Sequence, residues 1–188
     1  NECINTGSIF SGLLLWDKGR AELVAFVRSV KQKYPMIQLI VIGNYFLENP
    51  SGIPKKQIEQ WNVSGVFEYL GMVDNVFDIM KSADCMVLPS YYKEGLPRVL
   101  MEACSMGKPI ITVDNVGCRD VVEDGVNGFM AKPRDVYSLA NAMICFIELS
   151  FEEKIAMGYA GRLKMEREFD QKIVINKYLE VARNLLDA

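Results

Sequence analysis

Two carboxylates eight positions apart, Glu94 and Glu102, enclose the run Gly95-Leu96-Pro97-Arg98. Pro97 suits the first position of a helix, because its fixed φ is helical and its missing N–H would have had no partner there. The amides of Gly95, Leu96 and Arg98 then fall beside an open helix N-terminus, where N–H groups point outward and favour an anion. Gly95 lets a ligand come close to the backbone. Glu94 is placed in the loop and Glu102 between one and two turns into the helix, so both can face one crevice. Such a crevice suits several hydroxyl groups around a phosphate, which is the shape of a sugar nucleotide. Tyr91 and Tyr92 precede it, with rings that could pack on a base or simply line the loop.

The flanking elements must bring these groups together. The apolar run from Cys85 to Leu88 reads as a strand ending in Pro89-Ser90, and the helix after Pro97 closes at Gly107-Lys108-Pro109. Upstream, residues 8–15 form a strand candidate followed by the loop Trp16-Asp17-Lys18-Gly19. Residues 20–34 carry apolar side chains at helical spacing up to Pro35. Residues 38–43 are apolar and β-branched without alternation, as in a strand covered on both faces. Pro54 opens a short helix to Asn62, residues 66–71 are the third strand, and residues 75–83 the next helix. A fifth strand is expected over 109–113, a helical turn over 117–123 and a short strand over 129–131. Asp124-Gly125 and Asn127-Gly128 read as turns. Three helices complete the chain, about 136–149, 152–169 and 171–186, with their Met and Phe positions expected in the core. Alternating strands and helices make this an α/β chain, a Rossmann-like parallel sheet with helices on both faces and ligands at the carboxyl ends of the strands. The loops holding Lys18, Gly43, Gly71 and the Glu94–Glu102 stretch should therefore share one crevice.

Composition narrows the chemistry. Half of the 188 residues are apolar, enough for one substantial core and one domain. A net charge of −3 gives no reason to expect nucleic acid as a partner. No run is long enough to span a membrane and no signal peptide is visible; a cytoplasmic location is expected from cysteines that read as reduced. The five cysteines, Cys3, Cys85, Cys104, Cys118 and Cys145, lack metal-ligand spacing and read as reduced, mostly core residues. Histidine is absent, which excludes imidazole-based triads and metal sites. Lys31, Lys33, Lys55 and Lys56 read as solvated surface. The opening at Asn1, with no recognisable pattern before Thr6, points to a fragment of a longer protein.

In order along the chain, Asp17-Lys18-Gly19, Ile42-Gly43, Tyr69-Leu70-Gly71, Leu88-Pro89-Ser90, Glu94-Gly95-Leu96-Pro97, Glu102-Ala103, Gly107-Lys108-Pro109-Ile110, Gly117 and Asp124-Gly125-Val126-Asn127-Gly128 form one ordered set. That set resembles the C-terminal half of family 4 glycosyltransferases, retaining enzymes of the GT-B fold. It is most similar to bacterial members that build capsule, O-antigen and exopolysaccharide. The resemblance implies one half of a GT-B fold, with an N-terminal acceptor domain outside this chain. It implies a nucleotide-diphosphate sugar as donor, UDP preferred, with no other cofactor and no obligatory metal. The acceptor would be a glycan or a lipid-linked sugar, reached through the absent half, and the full-length enzyme could associate peripherally with the membrane's inner face.

Carried over by position, Glu102 would hold the ribose hydroxyls and Glu94 hydroxyls of the donor sugar. The Gly95-Leu96-Pro97 backbone and the helix start at Arg98 would hold the diphosphate, and Lys18 would neutralise it as the glycosidic bond breaks. Gly12 and Gly43 would lie along the donor site, with Met72 and Val73 near the base. The resemblance makes Lys18 and Glu94 the candidate catalytic positions. One departure stands out. The family places an arginine five residues before the lysine, and here that position is Leu13; Arg20 and Arg98 are the candidates to replace it.

Other classes are weighed against this. A non-hydrolysing sugar-nucleotide epimerase shares the architecture, and a non-catalytic nucleotide-sugar-binding subunit would tolerate Leu13. A glycoside hydrolase needs two acids flanking the scissile bond, which the phosphate-site pattern does not call for. A dinucleotide-dependent oxidoreductase is disfavoured because Trp16-Asp17-Lys18-Gly19 replaces a glycine-rich fingerprint.

Overall fold

A computed structural model of the chain describes residues 7–11, 20–45, 48–91 and 95–186, with side chains described from residue 23 onward. Six strands form one parallel sheet: β1 (Gly7–Ser11), β2 (Gln38–Ile42), β3 (Glu68–Gly71), β4 (Cys85–Leu88), β5 (Ile110–Val113) and β6 (Gly128–Ala131). Their order across the sheet is β3-β2-β1-β4-β5-β6. The order reverses between β1 and β4, and an open parallel sheet offers its ligand crevice at that switch point, beyond the strand carboxyl ends. Register is set by pairs such as Ile9 with Ile40 and with Met86, and Val87 with Ile111.

β4 and β5 are buried along their whole length, which explains their unbroken apolar sequence. Helices α1 (Arg20–Lys33), α2 (Lys55–Val63), α3 (Val76–Ser82), α4 (Arg98–Ser105) and α5 (Cys118–Val121) make the crossovers. Right-handed connections running outward from β1 and β4 put α1 and α2 on one face and α4 and α5 on the other. The last helices are α6 (Val136–Glu148), α7 (Phe151–Glu168) and α8 (Gln171–Leu186). Here α6 packs on α1, and α7 on α4. Asp135 caps α6 by accepting from the Ser138 amide at 2.9 Å, and Ser150 with Glu153 closes a capping box on α7.

Several expectations shift. Pro97 is the N-cap of α4 rather than its first residue, because its ψ of 107° is extended while its carbonyl already accepts the first helical bonds. Val66 and Phe67 are buried but precede the ladder, which starts at Glu68; apolar character reports burial, not pairing. The first strand ends at Ser11, and residues 12–15 of its expected span lie outside the described residues. Met143, Phe146, Met157 and Met165 are core, yet Phe151 is exposed and α8 buries none of its residues. Of the lysines expected as solvated surface, Lys31 donates to the Gly65 carbonyl at 2.6 Å and Lys33 pairs with Glu148 at 3.0 Å. Cys85, Cys104 and Cys118 are buried, Cys145 is exposed, and Cys3 lies outside the described residues. Among the described residues no helix is long and apolar enough to cross a membrane.

The Asp124–Gly128 segment is structural. Asn127 is buried, its amide donating to the Val121 carbonyl at 3.0 Å and its oxygen accepting from the Glu123 amide at 2.7 Å. A Cβ at Gly128 would sit 2.1 Å from the Ile110 carbonyl oxygen, so β6 approaches β5 through a position only glycine fits.

Candidate functional site

The residues singled out from sequence fall into three groups. Gly12, Lys18 and Glu94, with Leu13 and Tyr92, lie outside the described residues. The chain places their neighbours all the same: Gly12 follows the end of β1, Lys18 precedes α1, and Glu94 precedes Gly95 in the loop from β4 to α4.

A second group joins the ends of β2 and β3. The Gly43 amide donates to the Gly71 carbonyl at 2.9 Å, and the Tyr69 hydroxyl donates to the Gly43 carbonyl at 2.7 Å. The Tyr45 ring stands edge-on to Tyr69, with centroids 5.4 Å apart. Met72 and Val73 leave this bridge, the first exposed and the second half-buried. Tying the two loops together fixes where an apolar ring could rest on them.

The third group is α4 and its approach. Gly95 and Leu96 are exposed, and Pro97 is buried beneath them. Pro97 provides no side-chain cap, and the first turn of α4 holds no acidic residue. Its outward amides and positive dipole end therefore meet no neutralising carboxylate in that turn. A Cβ at Gly95 would meet nothing within 4 Å, and its φ is not in the left-handed region. Among the described residues, neither packing nor backbone conformation demands glycine there.

Glu102 is half-buried and shares a face of α4 with Arg98, Met101 and Ser105, at the spacing of successive turns. That face lines a groove of about 430 Å³, closed by Phe77, Met106 and Arg162. Arg162 reaches it from α7, donating through Nη1 to the Ser105 carbonyl at 2.6 Å and through Nε to Glu166 at 2.6 Å. Phe77, Met101 and Arg162 were not among the sequence-derived residues. Phe77 carried a signal, an aromatic just past the third strand's loop; Arg162, in a helix distant in sequence, carried none. The groove thus joins a carboxylate, two guanidinium groups and apolar surface, which suits a ligand with hydroxyls, negative charge and a flat ring.

The β5 side of the crevice is braced. Thr112 donates to the Leu88 carbonyl at 2.8 Å and Asn115 to that of Ser90 at 3.4 Å. Asp114 pairs with Arg119, whose hydrogen bond holds the carboxyl below its usual range. Among the described residues no three His, Cys, Asp or Glu side chains gather as a metal site.

The family model described as glycosyl transferases group 1 matches residues 7–164. The N,N'-diacetylbacillosaminyl-diphospho-undecaprenol alpha-1,3-N-acetylgalactosaminyltransferase of Campylobacter jejuni is 29% identical over 168 residues, covering 89% of this chain and 42% of the relative. The capsular polysaccharide biosynthesis glycosyltransferase CapM of Staphylococcus aureus is 26% identical, covering 88% and 42%. Among solved structures, Anabaena Alr3699/HepE in complex with UDP and glucose superposes with a TM-score of 0.79 at 23% identity, over 99% of this chain and 50% of that one. The chain spans about half the length of these relatives.

Proposed function

The chain belongs to the glycosyl transferases group 1 family, and from that premise we propose that it is the donor-binding part of an enzyme that moves a sugar from a nucleotide-diphosphate sugar to a glycan or lipid-linked acceptor. The observation that carries this reading is α4. Its N-terminus has no side-chain cap, lies just past the switch-point strand β4, and leads within about one turn to Glu102 on a groove-lining face. A diphosphate at the helix start and a ribose at Glu102 match that spacing. Gly95, which the fold itself does not require, leaves room for the donor to reach the backbone.

In this reading the bond between the anomeric carbon and the diphosphate oxygen breaks, and its electron pair leaves with the diphosphate. Fixed amides at the start of α4, together with Lys18, stabilise the growing charge at little reorganisation cost. Attack comes from the face the nucleotide leaves, so configuration is retained, and the departing phosphate helps remove the acceptor proton. Glu94 binds donor-sugar hydroxyls. No histidine and no metal ion is assigned a part. The acceptor site belongs to the half of the relatives' length that this chain does not span. A lipid-linked acceptor, such as the relative from Campylobacter is named for, would bring the whole enzyme to the inner face of the membrane.

Uridine is the preferred base, supported by structural neighbours crystallised with UDP. Calorimetric titration of the chain with UDP, GDP and ADP tests the reading. One nucleotide should saturate a single site, and absence of binding by all three would count against it. Leu13→Arg restores the family's arginine and, through one charge-assisted hydrogen bond, should tighten that nucleotide about tenfold. An affinity unchanged by this variant would mean that the site does not use that position. Gly95→Ala should leave thermal stability within about 0.5 kcal/mol of the parent while weakening nucleotide-sugar binding. Equal binding by this variant would show that the donor does not approach that backbone.

A further inference from the structure

Among the described residues, Arg134 is the only non-glycine in the left-handed region, with φ 59°. A side chain there is strained, and such a conformation persists where its surroundings over-determine it. Here they do. The Asp135 amide donates to the Lys132 carbonyl at 3.3 Å, the Lys132 amide to Ser138 Oγ at 2.9 Å, and Asp135 caps α6. The turn aims the guanidinium back across the sheet, where its Cζ lies 4.5 Å from the centroid of the Tyr91 ring. Arg134 follows β6 and Tyr91 follows β4, so this contact reaches past the intervening β5. Tyr91 stands four residues before Gly95, at the head of the loop leading to α4.

We propose that Arg134 is a positioning residue that acts through Tyr91: its stacked guanidinium holds the start of the β4–α4 loop against the β5–β6 side, so the loop backbone stays placed for the donor. The inference rests on the donor reading above. Three ties then brace the end of β4 from the same side, Thr112 on Leu88, Asn115 on Ser90 and Arg134 on Tyr91.

The test compares the parent chain with Arg134→Gly, Tyr91→Leu, Tyr91→Phe and the double Arg134→Gly/Tyr91→Leu variant. Each is titrated with UDP, melted, and followed by amide exchange over residues 95–99. Arg134→Gly relieves the left-handed strain and should melt no lower than the parent. It should nevertheless bind UDP about three- to fivefold more weakly, the loss expected for one exposed cation–π contact, with less protection of the residue 95, 96, 98 and 99 amides when UDP is bound. Tyr91→Leu should match that loss, Tyr91→Phe should restore it because the ring face remains, and the double variant should lose no more than either single one. Parental affinity in Arg134→Gly, or losses that add in the double variant, would overturn the inference alone. A parent chain that binds no nucleotide would overturn the donor reading and this inference with it.

Discussion

Gly158→Ala should destabilise the chain by about 3 kcal/mol, at the upper end of overpacking costs, and lower its melting temperature by about 6–12 °C. The added Cβ would lie 2.0 Å from the Gly107 carbonyl oxygen and 2.8 Å from its carbon. Neither atom can move away cheaply. Gly107 ends α4 in a left-handed turn, φ 69°, with its amide bonded to the Cys104 carbonyl at 2.9 Å and the Lys108 amide to that of Ala103 at 2.9 Å. That double bond pattern is a Schellman closure, which fixes the carbonyl's position. The helix α7 must therefore withdraw, which strips contacts from Met157 and Met165 and strains the Arg162 bond to Ser105. Gly65→Ala is the control. Gly65 also has a positive φ, 69°, but open space around it, so it should lose only the strain, about 1 kcal/mol. Urea unfolding of both variants decides. Gly158 lies within α7 and has no positive φ, so a loss there no larger than at Gly65 would mean that the α4–α7 approach yields to a Cβ at little cost.

This close approach was not legible in the sequence, because a glycine inside a helix does not say which element comes close to it. What was legible followed from patterns that a local environment enforces. Cys85–Leu88 was bounded correctly because a strand buried on both faces must be apolar at every position. Pro54 marked a helix start to within one residue: it is the N-cap and α2 begins at Lys55. Pro97 marked one too, but its φ fits both the N-cap and the first helical turn, and only tertiary contacts set the ψ that separates them. Helix α8 carries apolar residues, yet none of its residues is buried, since periodicity states that a face wants a partner without supplying one. In the site, the glycine–proline run ahead of α4 was readable as a helix start because a helix start has a local composition. Arg162 and Phe77 were not, since they meet Glu102 only through packing between helices far apart in sequence.

Glu102→Ala should weaken UDP binding about a hundredfold while leaving the melting temperature unchanged. The helix fixes where the side chain leaves the backbone: Leu100, Ala103 and Cys104 bury the opposite side of α4 to 1% exposure or less. A carboxylate presented on that face can accept two hydroxyl hydrogens at once. Two charge-assisted hydrogen bonds contribute about 3 kcal/mol together, which converts to roughly two decades in affinity. Glu102→Gln keeps the shape and one oxygen acceptor, so its loss should be about tenfold. Removing the carboxylate opens no core cavity, because the residue lines a groove, and stability should stay within about 0.5 kcal/mol. The ribose assignment is separable from a role in sugar binding. If Glu102 grips the ribose, the loss appears with UDP alone, the parent discriminates against 2′-deoxy-UDP, and Glu102→Ala no longer does. A variant that binds UDP as the parent does, yet loses affinity only for a UDP-sugar, would move Glu102 from the ribose to the transferred group, and the donor would then lie reversed along α4.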